Sequence, residues 1–529
     1  MMKRVLFLVV VLTTLIPTCW LFGQYHLAVK SLPNEKWWGG QVVDGNKMPL
    51  GNSFYSLDQR GNTGGNQAQP LFLSNMGRYI WCDEPIKYTF SKDSIKLQSD
   101  KGEIEIVKAG GSLKEAFLAA SKKHFPASGK IPEELMFTKP QYNTWIELTY
   151  NQNQADILKY AHAIVDNGFP TGVLMIDDTW QTNYGIWEFN PSRFSNPKKM
   201  MDELHQLGFK VMLWVCPFVS ADSENFRKLR KKGALLMDAQ KGDIPAIVEW
   251  WNGYSGLLDF TNPDAVKWFK GQLDYLQNTY KVDGFKFDAG DAHFYKGLKS
   301  KIQVSPNEQS ALYAKLGIDY PLNEYRACWK MAGQPLAQRL RDKNCSWEDM
   351  KKLMPDMLLS SLIGYAYGCP DLIGGGDFES FQDNKKIEED MIVRSAQIHS
   401  MMPMMQFSVA PWRILDSTHL KAARNAALLH EKMGATILQL AHESAKNGEP
   451  IVRLLEYNYP HQGFENVKDE FMLGEELLVA PIVEPKTYQR FVLLPVGSWK
   501  DKEGKIWKGG ATITVKAGID DLTVFERIK

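Results

Sequence analysis

The chain has 529 residues, too many for one hydrophobic core, and at about 150 residues per domain it predicts three or four modules. Hydrophobic residues make up 44% and charged residues 23%, which excludes disordered, collagen-like and polytopic membrane chains. Lys and Arg number 62 against 61 Asp and Glu, so a net charge of +1 offers no cationic surplus for nucleic acid. The 16 Trp, 20 Tyr and 26 Phe serve mainly to build large cores, and their flat faces also suit sugar rings.

At the N-terminus, Lys3 and Arg4 precede the apolar run Val5 to Ile16, and no charge appears through Phe22. A basic start followed by a short apolar stretch predicts a secretory signal peptide over residues 1–23. The alternative is an uncleaved membrane anchor, since about 20 apolar residues can span a bilayer. Thr13, Thr14 and Pro17 weigh against that anchor, and Ile16-Pro17-Thr18 is a poor lipobox for Cys19. Cleavage near Gly23 removes Lys3 and Arg4 and leaves a charge of −1. The expected address is the periplasm or the cell exterior, with no membrane contact after signal removal. The other five cysteines, Cys82, Cys216, Cys328, Cys345 and Cys369, show neither paired spacing nor a zinc pattern.

Residues 24–132 carry period-two alternation, as in Lys87-Tyr88-Thr89-Phe90 and Ile95-Lys96-Leu97-Gln98, and predict an N-terminal β-sandwich. From 133 to 445 short apolar strands alternate with helical patterns. Val173–Ile176, Lys210–Cys216 and Gly284–Phe287 are continuous apolar strands, and helices are expected over 198–207 and 264–279. Repeats of this kind predict a parallel sheet under helices, and their extent fits a (β/α)8 TIM barrel. A doubly wound sheet is the alternative, but no Gly-x-Gly-x-x-Gly follows the early strands. Residues 446–529 return to strands and predict a small C-terminal β-domain.

In such a barrel the reactive groups sit at the C-terminal ends of the strands. Asp177 and Asp178 close one apolar run, and Asp288 closes another two residues after Lys286. Asp371 opens a glycine-rich stretch, and Arg326 and Asp342 lie between. Each carboxylate alone has a plain reading as a helix cap. Together, without His or Cys companions, they suit either a hard metal ion or glycoside hydrolysis by a carboxylate pair.

Several stretches resemble glycoside hydrolase family 31. They are Glu470-Phe-Met-Leu-Gly-Glu-Glu-Leu-Leu-Val-Ala-Pro481, Leu494-Pro-Val-Gly-Ser-Trp499, Trp251-Asn-Gly253 and Leu258-Asp-Phe-Thr-Asn-Pro263. The resemblance covers nearly everything after about residue 130 and implies a retaining glycosidase that needs no cofactor or metal. By position, Asp288 in Phe285-Lys-Phe-Asp-Ala-Gly-Asp291 matches the nucleophile, and Asp342 in Arg341-Asp-Lys-Asn-Cys-Ser-Trp347 the acid/base. Arg326, 16 residues before Asp342, matches a substrate-binding arginine, and Asp371, 29 residues after it, matches the Ala-Asp-Ile-Gly-Gly aspartate. Asp177 matches the aspartate that binds sugar hydroxyls.

The departures are Lys286-Phe-Asp-Ala-Gly-Asp291 for Trp-x-Asp-Met-Asn-Glu, Arg-Asp-Lys for Gly-Asp-Asn, and no histidine near Phe407-Ser408. They resemble the α-galactosidase-like branch of the family, the myogenesis-regulating glycosidase group. Ile176-Asp-Asp-Thr-Trp180 also resembles the Asp-Asp-Gly-Trp of related barrel α-galactosidases, where it holds the axial 4-OH and the 6-OH. The resemblance therefore implies an oligosaccharide or glycoside substrate ending in α-galactose. Asp177, Asp178, Lys286, Arg326 and Asp371 are the expected polar contacts, and Trp180, Trp214 and Trp251 the expected pocket walls. An α-glucosidase, an α-xylosidase and a non-catalytic glycan-binding relative are the alternatives.

Overall fold

A computed structural model describes residues 25–382 and 386–528, so the expected signal segment, 1–23, lies outside the described residues. Among the described residues no helix is long and apolar enough to cross a membrane.

The N-terminal region forms two antiparallel sheets. One orders Tyr25–Lys30, Ser94–Ser99, Ile86–Phe90 and Tyr55–Asp58; the other Trp37–Gln41, Gln67–Ser74, Arg78–Cys82 and Ile104–Lys108. Alternate residues such as Ile86, Tyr88 and Phe90 are buried, and the Tyr88 and Phe72 rings meet between the sheets at 4.8 Å. The region is not purely β, however, because Leu113–His124 is a helix. Its start is written in Ser112 and Glu115: the Ser112 hydroxyl accepts the Glu115 N–H, and the Glu115 carboxylate accepts the Gly111 N–H at 2.7 Å.

Eight parallel strands follow, which we label β1 (Gln141–Asn143), β2 (Val173–Ile176), β3 (Lys210–Val215), β4 (Gly284–Phe287), β5 (Asn323–Tyr325), β6 (Gln338–Arg339), β7 (Gly368–Cys369) and β8 (Gln406–Phe407). They pair in chain order, with β8 beside β1. Beyond the end of β7, the Ile373 N–H donates to the Gln406 carbonyl of β8 at 2.9 Å and brings the barrel near closure. Helices cover the outer face of these strands and inward-pointing side chains fill the barrel, which accounts for strands such as Val173–Ile176 being apolar and buried at every position. The expected helices run over Pro197–Gln206 and Pro263–Tyr280. Both begin with the same device, an Asn side chain capping the first turn and a Pro in it: Asn196-Pro197 and Asn262-Pro263.

One crossover departs from the regular (β/α)8 pattern. Between β5 and β6 there is no helix. Instead Cys328–Trp329 runs out to pair in parallel with Gln67 and Ala68 of the N-terminal sheet. The N-terminal region thereby becomes part of the barrel wall. After β8, the helix Ser417–Asn447 ends at Gly448, whose φ of +79° is the left-handed cap that glycine tolerates best. The C-terminal region then builds a six-stranded sheet from Val452–Arg453 to Val524–Ile528 and a two-stranded ribbon, Gln489–Leu494 with Ala511–Lys516. Its separate core centres on Trp499, Phe525 and Leu478. The five described cysteines are unpaired, and only Cys345 is not fully buried.

Candidate active site

The ends of β2, β3, β4 and β6 open into one cavity of about 750 Å³. Asp177, Asp178, Trp214, Trp251, Lys286, Asp288, Arg326 and Asp342 all line it, although they span more than 160 residues of sequence.

Lys286 and Asp288 are two residues apart, so β4 points both to the same side. Lys286 is buried and reaches across to β2, where its Nζ lies 2.7 Å from Asp177 Oδ2. Asp288 Oδ2 accepts the Trp214 indole N–H at 3.0 Å, while Oδ1 accepts Arg326 Nε at 3.0 Å and the Ala289 N–H at 2.8 Å. Burial alone would push this carboxyl up. The charges of Arg326, Lys286 and Arg339 and the Trp214 N–H outweigh burial and hold Asp288 well below the usual carboxylate range.

Two strand ends turn by the same local device. Asp288 accepts the N–H of Ala289, whose φ is +59°; Asp178 accepts the N–H of Thr179, whose φ is +71°, at 2.6 Å. A left-handed non-glycine residue costs on the order of 1–3 kcal/mol, and here the carboxylate bond offsets part of it while fixing the carboxylate's direction. Asp178 also accepts Asn252 at 2.6 Å, Tyr184 at 3.1 Å and Gln181 at 3.2 Å. Burial, opposed by the Gln181 amide and reinforced by the Asp177 charge, pushes Asp178 up to about 7.

Asp342 stands on the rim with 47% of its side chain exposed, and its Oδ1 accepts Arg339 Nη1 at 2.9 Å. The same nitrogen lies 2.7 Å from Oδ1 of the fully buried Asp371.

Two sequence expectations are corrected. Trp180 is no pocket wall: it is fully buried behind β3, where its indole N–H donates to the Trp214 carbonyl at 2.8 Å. Asp371 is not among the lining residues. It accepts the N–H groups of Lys343, Leu372 and Gly376 and so organises the glycine-rich turn from behind.

Other parts of the site were missed. Asp291 takes both terminal nitrogens of Arg326, at 3.1 and 2.7 Å, and Gly65 of the N-terminal region offers its carbonyl to Arg326 at 2.7 Å. Asp291, three residues after the expected nucleophile, was within reach of motif spacing. Gly65, 261 residues from Arg326, was not. Arg339 ends a barrel strand as the aspartates do, but in Gln338-Arg339-Leu340 no unbroken apolar run marks it. Trp251 is 48% exposed, with the Arg326 guanidinium 5.5 Å from its ring centre. Trp145, Tyr150 and Phe378, packed edge to face, line the same cavity.

The models of two known domains match the chain: the glycosyl hydrolases family 31 TIM-barrel domain over residues 135–432, and the family 31 C-terminal domain over 448–528. The myogenesis-regulating glycosidase of Mus musculus is 32% identical over 397 residues, covering 73% of this chain and 55% of the mouse protein. The α-xylosidase XylQ of Lactiplantibacillus pentosus is 24% identical, over 89% of this chain and 63% of its own length. The chain thus spans between about half and two-thirds of the length of these relatives. In fold it is like a family 31 dextranase of Flavobacterium johnsoniae complexed with glucose, with a TM-score of 0.84, 21% identity, and 96% of this chain and 66% of that one covered. The barrel match takes in more than half of all residues, strand-end carboxylates included, and on that extent the chain belongs to glycosyl hydrolase family 31.

Proposed function

We propose that the chain is a retaining, exo-acting α-glycosidase that releases terminal α-linked galactose from oligosaccharides or glycosides. The observation that carries this reading is the grip on Asp288. A buried carboxylate with three donors and neighbouring cations is an ionised nucleophile facing a sugar-sized cavity. Asp288 attacks the anomeric carbon, the glycosidic bond breaks, and Asp342 gives its proton to the departing oxygen. Asp342 then takes a proton from water, which attacks the same carbon and frees Asp288. No step calls for a metal or an organic cofactor.

Galactose is preferred because Asp177 and Asp178 at the end of β2 and Lys286 on β4 gather acceptors and a donor in the one cavity. An axial 4-OH and a 6-OH can satisfy such groups, and a buried polar group left unpaired costs about 1–3 kcal/mol. Glucose and xylose are the competing sugars, the second because a relative similar over most of the chain is named an α-xylosidase. The place of work on this reading is the periplasm or the medium, which N-terminal sequencing of the exported protein tests.

The decisive experiment is initial hydrolysis of p-nitrophenyl α-galactoside, α-glucoside and α-xyloside, side by side with Asp288→Asn. Release chiefly from the galactoside, abolished by the substitution, supports the proposal. A preference for glucoside or xyloside overturns the sugar assignment, and release that survives Asp288→Asn overturns the nucleophile.

A further inference from the structure

Arg339 is an unusual group to find inside a barrel. It ends β6 with 2% of its side chain exposed and lies between three carboxylates: Glu324 on β5, Asp371 after β7 and Asp342 on the rim. Its Nε lies 3.4 Å from Glu324 Oε1, and its Nη1 is shared by Asp371 and Asp342 at 2.7 and 2.9 Å. Asp371 cannot move to meet it, being held by three backbone N–H groups. Asp342, half exposed, has no comparable anchor among the described residues, where its side-chain hydrogen bond comes from Arg339. Gly376 supplies the opposite wall: a β-carbon there would stand 2.4 Å from Asp342 Oδ1 and 2.8 Å from Asp371 Oδ1.

We propose that Arg339 and Asp371 form a buried bridge that positions Asp342 as the proton donor to the leaving group and sets the pH range over which it donates. This rests on the glycosidase reading given above. One guanidinium serves two carboxylates on the same nitrogen, so the charge on Asp371 cancels much of the pull of Arg339 on Asp342. Burial pushes the Asp371 carboxyl upward against Arg339, and the Asp342 charge adds to that push. Arg339 and Asp371 act through Asp342, which makes them positioning residues.

The bridge predicts opposite pH effects from its two halves. In Arg339→Met the two carboxylates face each other without the cation, so Asp342 keeps its proton longer and the alkaline limb of kcat/KM moves up. In Asp371→Asn the cation acts on Asp342 alone, and the alkaline limb moves down. Loss of a well-placed general acid costs about 100-fold or more on a poor leaving group, as in methyl α-galactoside. Little loss is expected with 2,4-dinitrophenyl α-galactoside, whose departure needs no proton. Arg339→Lys, which keeps the charge, should recover part of the loss.

Carbodiimide labelling of Asp342, mapped by peptide mass across pH, reads the same ionisation without any turnover. Its midpoint should rise in Arg339→Met and fall in Asp371→Asn. Limbs and labelling midpoints that stay together, or equal losses on both leaving groups, would overturn the bridge. Should the wild type hydrolyse no glycoside, the glycosidase reading fails while the labelling midpoints still decide the bridge.

Discussion

Arg326→Met tests how the nucleophile is kept ionised. Arg326 Nε lies 3.0 Å from Asp288 Oδ1, which puts the centre of the guanidinium charge at about 4 Å. At an effective dielectric of about 20 that charge is worth about 4 kcal/mol to the carboxylate. At 1.36 kcal/mol per tenfold, this is about three powers of ten in proton affinity. Lys286, Arg339 and the Trp214 N–H remain in the variant. Asp288 must be ionised to attack, so kcat/KM falls as pH drops through its titration. In the wild type that titration lies well below the usual carboxylate range, and removing the cation moves it up. The expected result is an acid limb shifted upward by about three pH units, on top of a pH-independent loss from the missing substrate contact. Initial rates on the p-nitrophenyl galactoside between pH 3 and 8 (about one unit apart) read both effects. Arg326→Lys, which keeps the charge, separates them and guards against a folding defect from leaving Asp291 unpaired. An acid limb identical in wild type and Arg326→Met, with the fold intact, would refute the electrostatic account.

Gly376→Ala places a β-carbon about 1 Å too close to Asp342 Oδ1, and only the half-exposed Asp342 can yield; a displacement of that size costs about 100-fold in kcat/KM on poor leaving groups. Full activity on methyl α-galactoside would show that Asp342 tolerates the shift. Lys286→Met leaves Asp177, 4% exposed, as an uncompensated buried charge and should lower stability by about 3–5 kcal/mol. Lys286→Met with Asp177→Asn should recover much of that loss in thermal unfolding, and a double variant no more stable than the single would count against the pairing. In the C-terminal region, burial pushes Glu456 up to about 7, above its unfolded value of 4.5. Its stabilising contribution is therefore complete below about pH 4.5 and lost as pH rises towards 7, about 3 kcal/mol in all. Glu456→Gln should flatten the fall in Tm over that interval, and an unchanged slope would exclude Glu456 as its source.

Much of the barrel was legible because its strands are buried on both faces and so read as unbroken apolar runs, and the polar residue closing each run marks the reactive end. Asp177 and Asp288 stand out on that rule alone. The rule is blind to what lies behind the wall. Trp180 and Trp214 are both tryptophans near strand ends, yet only Trp214 reaches the cavity, because Thr179 turns left-handed and sends Trp180 beneath β3. Asp371 reads as one more strand-end carboxylate, and only its three backbone donors reveal that it faces away. The helix Leu113–His124 was hidden by the β-rich segment before it, despite its Ser112/Glu115 start signal. Gly65 could not be found from sequence, since its role depends on two distant segments meeting.

That meeting has a consequence for how the chain holds together. Cys328–Trp329 leaves the barrel to join the N-terminal sheet, and Arg326, which grips the nucleophile, sits two residues before it. The cost of detaching the sheet therefore includes the loss of a barrel crossover and of one carbonyl that steadies Arg326. Sheet and barrel cannot melt independently, so partial unfolding at this seam removes chemistry and structure together. A barrel excised near residue 133 would carry every aspartate of the site and still lack the Gly65 carbonyl that steadies Arg326 against the nucleophile.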